Sequence, residues 1–90
     1  MIQVRMRRGI INEVRITGHA GYAKKGSDIV CAAVSALIDA LAAVTDGSVR
    51  DDGETYVCAF VGFGEAFDMA RIGFARIAAA YPKHVSAEVL

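Results

Sequence analysis

The sequence predicts a two-layer α+β domain, two helices on one mixed or antiparallel sheet, with the element order ββ-α-β-α-β. Three observations predict it. Apolar residues alternate with polar ones at the beginning and end of the chain, two longer stretches carry helical periodicity, and one run that is apolar on both faces lies between them. Ninety residues are too few for two independent cores, so residues 1–90 are read as a single domain.

Ile2, Val4 and Met6 alternate with Gln3, Arg5 and Arg7, and after Arg8-Gly9 the pattern resumes with Asn12, Val14 and Ile16 against Glu13 and Arg15. That is a β-hairpin with one face turned to a core. Gly18 to Ser27 reads GHAGYAKKGS, with three glycines and no apolar period, which predicts a mobile loop. Loops this long in small domains are often functional. Ser27 or Asp28 then offers a side-chain oxygen as helix N-cap, and the helix runs to about Asp46 with Gly47 as its stop. Its apolar face is Val30, Ala33, Val34, Leu37, Leu41 and Val44, while Cys31, Ser35 and Asp39 recur at i, i+4 and i+8 as a polar stripe. Asp51-Asp52-Gly53 makes a turn. Thr55 to Val61 follows as a central strand, because both its faces are apolar. A second helix from about Glu65 to Tyr81 puts Phe67, Ala70, Phe74, Ile77 and Tyr81 on one side and ends at Pro82. His84 to Leu90 alternate again as a closing strand.

Apolar residues make up 54% of the chain and charged residues 22%, a balance that excludes a disordered or solvating segment. Ten basic and ten acidic side chains cancel, so no field is available to hold a phosphate backbone, and nucleic acid is disfavoured as a direct partner. The run from Ile29 to Val44 approaches membrane-spanning length, but Asp39 falls near its middle, and a soluble helix is expected instead. Arg5, Arg7 and Arg8 precede no signal-peptide apolar region, and the two cysteines, Cys31 and Cys58, sit in apolar runs rather than in a disulfide framework. A reducing, cytoplasmic setting is expected. A domain this small hides only about 60% of its unfolded surface. Apolar side chains are therefore left outside, and the small face Ala32, Ala36, Ala40 and Ala43 invites a symmetric homodimer.

Cys31 falls at the third or fourth position of its helix, depending on the cap, where unpaired backbone N–H groups and the helix dipole favour thiolate. From position alone a cysteine there is more often a small apolar side chain of a core helix. His19, in the glycine-rich loop that feeds this helix, supplies what the cysteine alone lacks, since the loop can fold back and set an imidazole beside the helix start. Tyr22 in the same loop is a candidate substrate contact. The other motifs are weaker. Gly21 to Ser27 fails the phosphate-loop pattern because serine stands where lysine is required, and Gly62-Phe63-Gly64 reads as a strand-to-helix turn. His19, Cys31, Cys58 and His84 have the atoms for zinc but no paired short-spacing ligands, so neither metal nor other cofactor is expected. Cys58 reads as core, and His84 as a strand-start or surface residue.

Gly18-His19-Ala20-Gly21-Tyr22-Ala23 followed by Asp28-Ile29-Val30-Cys31-Ala32-Ala33-Val34-Ser35-Ala36-Leu37 resembles the signature of the ribosomal-processing cysteine proteases, the Prp family. The resemblance continues more weakly to Tyr81-Pro82. It implies a homodimeric bacterial endopeptidase that removes the N-terminal extension of large-subunit ribosomal protein twenty-seven, with His19 as base and Cys31 as nucleophile. It also implies supporting roles for Gly18, Gly21, Asp28 and Ser35. Such chemistry needs a thiolate, an imidazole to protonate the leaving amine and donors for the oxyanion, which the helix start could supply. The glycine loop would act as a lid over an extended peptide. Two other functions fit the same residues: a non-catalytic ribosome-assembly module that holds the precursor without cutting it, and redox sensing, for which Cys58 would have to reach Cys31.

Overall fold

The computed structural model describes residues 1–24 and 27–90, so Lys25 and Gly26 of the glycine-rich loop lie outside the described residues. The predicted hairpin is β1 (Ile2–Arg7) and β2 (Asn12–Thr17). Its antiparallel register sets Val4 opposite Ile16 and Met6 opposite Val14, which gathers the apolar set on one face. Then follow α1 (Ile29–Thr45), β3 (Ser48–Asp51), β4 (Thr55–Phe60), α2 (Gly64–Ala80) and β5 (Val85–Val89). The sheet order is β3-β4-β2-β1-β5. It is mixed: β5 runs parallel to β1, with Ile2 opposite Val85, and the other pairs are antiparallel.

Both helices cover the same face. Val4, Met6, Val14, Val30, Leu41, Cys58, Phe67, Phe74 and Val85 are almost wholly buried there, and truncating a phenylalanine such as Phe74 would cost about 3–5 kcal/mol. The other face is polar, with Arg5 on Glu88 at 3.1 Å and Arg15 on Glu13 at 3.6 Å. These exposed pairs contribute little. Asn12 is a buried exception at 5% exposure. Its Oδ1 accepts from Gly9 N–H at 3.2 Å and its Nδ2 donates to the Gly62 carbonyl at 2.9 Å, which ties the hairpin turn to the entry of α2.

Four expectations change. Ser48–Asp51 is a strand, read from sequence only as the approach to a turn. All four of its residues are exposed, so no alternation marks it. With β3 outside it, β4 is interior but one place off centre, and β2 holds the middle. On α1 the buried stripe is Val30, Val34, Ile38, Leu41 and Thr45, while Val44 is 57% exposed. Thr45 can face inward because its hydroxyl donates to the Leu41 carbonyl at 2.7 Å. The stop of α1 is also built differently. Asp46 is the left-handed residue (φ 48°), and Gly47 is required for space, because a Cβ there would stand 2.8 Å from Cys58 Sγ. No helix among the described residues is long and apolar enough to cross a membrane.

Candidate active site

β2 delivers the chain to the site. At its end Gly18 turns it with φ +84°, and a Cβ there would overlap the Met1 carbonyl oxygen, so both conformation and space demand glycine. His19 follows, exposed. Ala20 then dips into the core at 3% exposure, and Gly21 reverses the chain with φ +65°.

Asp28, not Ser27, caps α1, which makes Cys31 the third residue of the helix. The carboxylate bridges two segments. Oδ1 accepts from Val30 N–H at 3.0 Å and Cys31 N–H at 2.9 Å, and Oδ2 accepts from Tyr22 N–H at 3.1 Å and Ala23 N–H at 3.4 Å. The Cys31 backbone N–H does most to hold the Asp28 carboxyl below its ordinary range; desolvation opposes it, and Ala23, Tyr22 and the Cys31 thiol add to it. One sequence expectation is corrected by this geometry. The first-turn N–H groups of Val30 and Cys31 are already engaged by Asp28, and that of Ala32 by the Asp28 carbonyl at 3.1 Å, so they do not stand open as an oxyanion hole.

His19, Gly21, Ala23, Asp28, Cys31, Ala32 and Ser35 line one groove of about 520 Å³. Cys31 is half-buried in it and Ser35 sits one helical turn further on. Ser35 is also a wall of a second hollow, of about 290 Å³, rimmed by Asp39, Asp51, Glu54 and Tyr56. Ser35 is therefore the residue of the polar stripe at which the two hollows adjoin, with Cys31 in one and Asp39 in the other.

Of the sequence candidates, His19, Gly21, Asp28, Cys31 and Ser35 share the groove. Gly18 lies on the second hollow, and Tyr22 lines neither. The Tyr22 ring packs edge to face on Tyr81 (5.5 Å) and on His84 (5.3 Å) instead. The described part of the loop is thus in contact with the rest of the domain at Ala20, Tyr22 and Ala23. His84, read from sequence as a strand-start or surface residue, is half-buried just before β5 and places Nδ1 2.9 Å from the Ala20 carbonyl oxygen. Its signal was faint, a histidine three residues after Tyr81 across Pro82. Cys58 stays in the core, 0% exposed on β4. Burial pushes its thiol up, partly offset by a hydrogen bond with Thr45.

A thiol at a capped helix start and an imidazole on the same groove, with a carboxylate beside them, are the groups that a small thiol hydrolase requires. The family described as cysteine protease Prp matches residues 1–86, and the chain belongs to that family. In solved structures the fold is similar over 100% of both chains to the essential ribosomal processing protease Prp from S. aureus. The TM-score is 0.86 at 20% identity for its complex with a covalently linked product peptide, and 0.82 at 18% identity for its complex with a substrate peptide. SMU.848 from Streptococcus mutans is 31% identical, with a TM-score of 0.68, over 100% of this chain and 94% of that one. No protein of curated function matches significantly.

Proposed function

We propose that this cysteine protease removes the N-terminal extension of large-subunit ribosomal protein twenty-seven in the cytoplasm, with Cys31 as nucleophile and His19 as acid and base. The observation that carries the assignment is the groove shared by His19 and Cys31. The Cys31 thiolate attacks the scissile carbonyl carbon, and the tetrahedral adduct collapses as His19 gives its proton to the departing amine. Water, deprotonated by His19, then adds to the thioester, and collapse of that adduct frees the new carboxylate and the sulfur. Asp28 fixes both the loop and the helix start. Gly21 leaves room for backbone to approach, and Ser35 extends the floor for an extended peptide.

A peptide spanning the extension and its junction is the test, read by mass spectrometry. Wild type should cut it at one bond. Cys31→Ala should bind without cutting, and His19→Ala should lose at least about 10²-fold in rate. Binding without cleavage by wild type would replace this reading with a precursor-holding module. The active form is a homodimer, a reading supported by the exposure of Ala32, Ala36, Ala40 and Ala43 along α1, with Ile29 56% and Val44 57% exposed nearby. Sedimentation at micromolar concentration should give twice the chain mass.

A further inference from the structure

Among the described residues no hydrogen bond holds the His19 ring, and its own backbone bears on where it points. That backbone is a short segment between two left-handed glycines, Gly18 (φ +84°) and Gly21 (φ +65°), and a Cβ at Gly21 would meet nothing within 4 Å. Such a segment swivels unless something stops it. The stop is His84. A carbonyl oxygen only accepts, so the 2.9 Å contact with the Ala20 carbonyl requires the hydrogen on Nδ1. His84 is itself anchored at both backbone groups. Its N–H donates to the Tyr81 carbonyl at 2.9 Å, and its carbonyl accepts from Ile2 N–H at 2.8 Å, where the parallel pairing of β1 with β5 begins. Its ring also braces Tyr22 on the far side of Gly21.

We propose that His84 is a positioning residue for His19: by donating Nδ1–H to the Ala20 carbonyl from the fixed start of β5, it sets the Ala20–Gly21 peptide plane and so aims the His19 imidazole into the groove. The proposal rests on the reading of His19 and Cys31 as the catalytic pair. His84 touches neither the groove nor Cys31 and acts only through the loop.

Two substitutions separate aiming from packing. His84→Phe keeps a ring against Tyr22 and removes the donor, whereas His84→Asn can place an amide N–H where Nδ1 stood. His84→Phe should lower kcat on the extension peptide by about 10–100-fold and leave KM within about twofold. It should also move the pH profile of Cys31 alkylation to that of His19→Ala. His84→Asn should recover kcat to within about fivefold of wild type. The proposal is overturned if His84→Phe keeps the wild-type kcat and alkylation profile, or if His84→Asn is as impaired as His84→Phe. It also falls if His19→Ala leaves the wild-type alkylation profile unchanged, since there is then no pair to aim. Alkylation needs no substrate, so a wild type that fails to cut the peptide refutes the proposed substrate while the profiles still decide the role of His84. A check that needs no variant is the side-chain nitrogen spectrum of the labelled protein. Hydrogen on His84 Nδ1 supports the proposal, and the opposite tautomer overturns it.

Discussion

Gly18→Ala tests how the chain is steered from β2 into the site, and Gly21→Ala is its control. Both glycines have positive φ. An L side chain in the left-handed region costs roughly 1–2 kcal/mol, from which the loss of unfolded-state freedom on replacing glycine returns about 0.4–1 kcal/mol. At Gly21 nothing more is added, because the space around a Cβ is open. The net cost there is about 0–1.6 kcal/mol. At Gly18 the new methyl also overlaps the Met1 carbonyl. That group is backbone and cannot rotate aside, so overpacking adds about 1–3 kcal/mol. Gly18→Ala should therefore cost about 1–4.6 kcal/mol in all, and in a domain of this size each kcal/mol lowers Tm by roughly 4–8 °C. Urea unfolding followed by circular dichroism gives both free energies directly. Equal losses at the two positions would refute the reasoning, because the close approach to Met1 would then carry no weight.

Three further outcomes are expected. Iodoacetamide at neutral pH should label Cys31 alone, since it lines the groove while Cys58 is fully buried and its thiol is held protonated; mass mapping that finds Cys58 labelled as fast would reverse the assignment. Backbone donors, chiefly Cys31 N–H for Asp28 and Thr55 N–H for Asp52, hold both carboxyls below the unfolded value of 3.8. Their contribution to stability is therefore complete above that value and lost as pH falls through the folded one, so a calorimetric series should show Tm dropping below about pH 4, with a shallower drop in Asp28→Asn/Asp52→Asn. Gly47→Ala should cost about 1–3 kcal/mol by overpacking, and Cys58→Ala in the same chain should recover part of it by removing the sulfur 2.8 Å away; a strictly additive double mutant would argue against that contact.

What could be read from the sequence divides by range. The hairpin of Ile2, Val4 and Met6 with Val14 and Ile16 announces itself by period two, and α1 by its cap and its periodicity. The groove's principal residues are equally local, because the three-residue step from Asp28 to Cys31 is one helical turn. Ser48–Asp51 was not readable, since an edge strand exposed at every residue has no burial pattern to imprint on its sequence. Gly47 looked like a left-handed stop, yet its lack of a side chain serves Cys58 on a distant strand. The tethering of Tyr22 and Ala20 by His84 depends on residues more than sixty positions apart. No spacing rule reaches that far, and loop glycines alone read as freedom.

The pairing of the first strand with the last carries a kinetic consequence. β1 and β5 are almost the whole chain apart, so their ladder closes only after the large entropy of bringing the ends together has been met. Hairpin, helices and the antiparallel strands can assemble beforehand around Met6, Val14, Leu41 and Phe74, leaving one edge of β1 bare and Ala20 without its histidine. On refolding from urea, ellipticity should therefore return in a faster phase than the native alkylation profile of Cys31. Full thiol reactivity of Cys31 is then expected only once the last strand has docked.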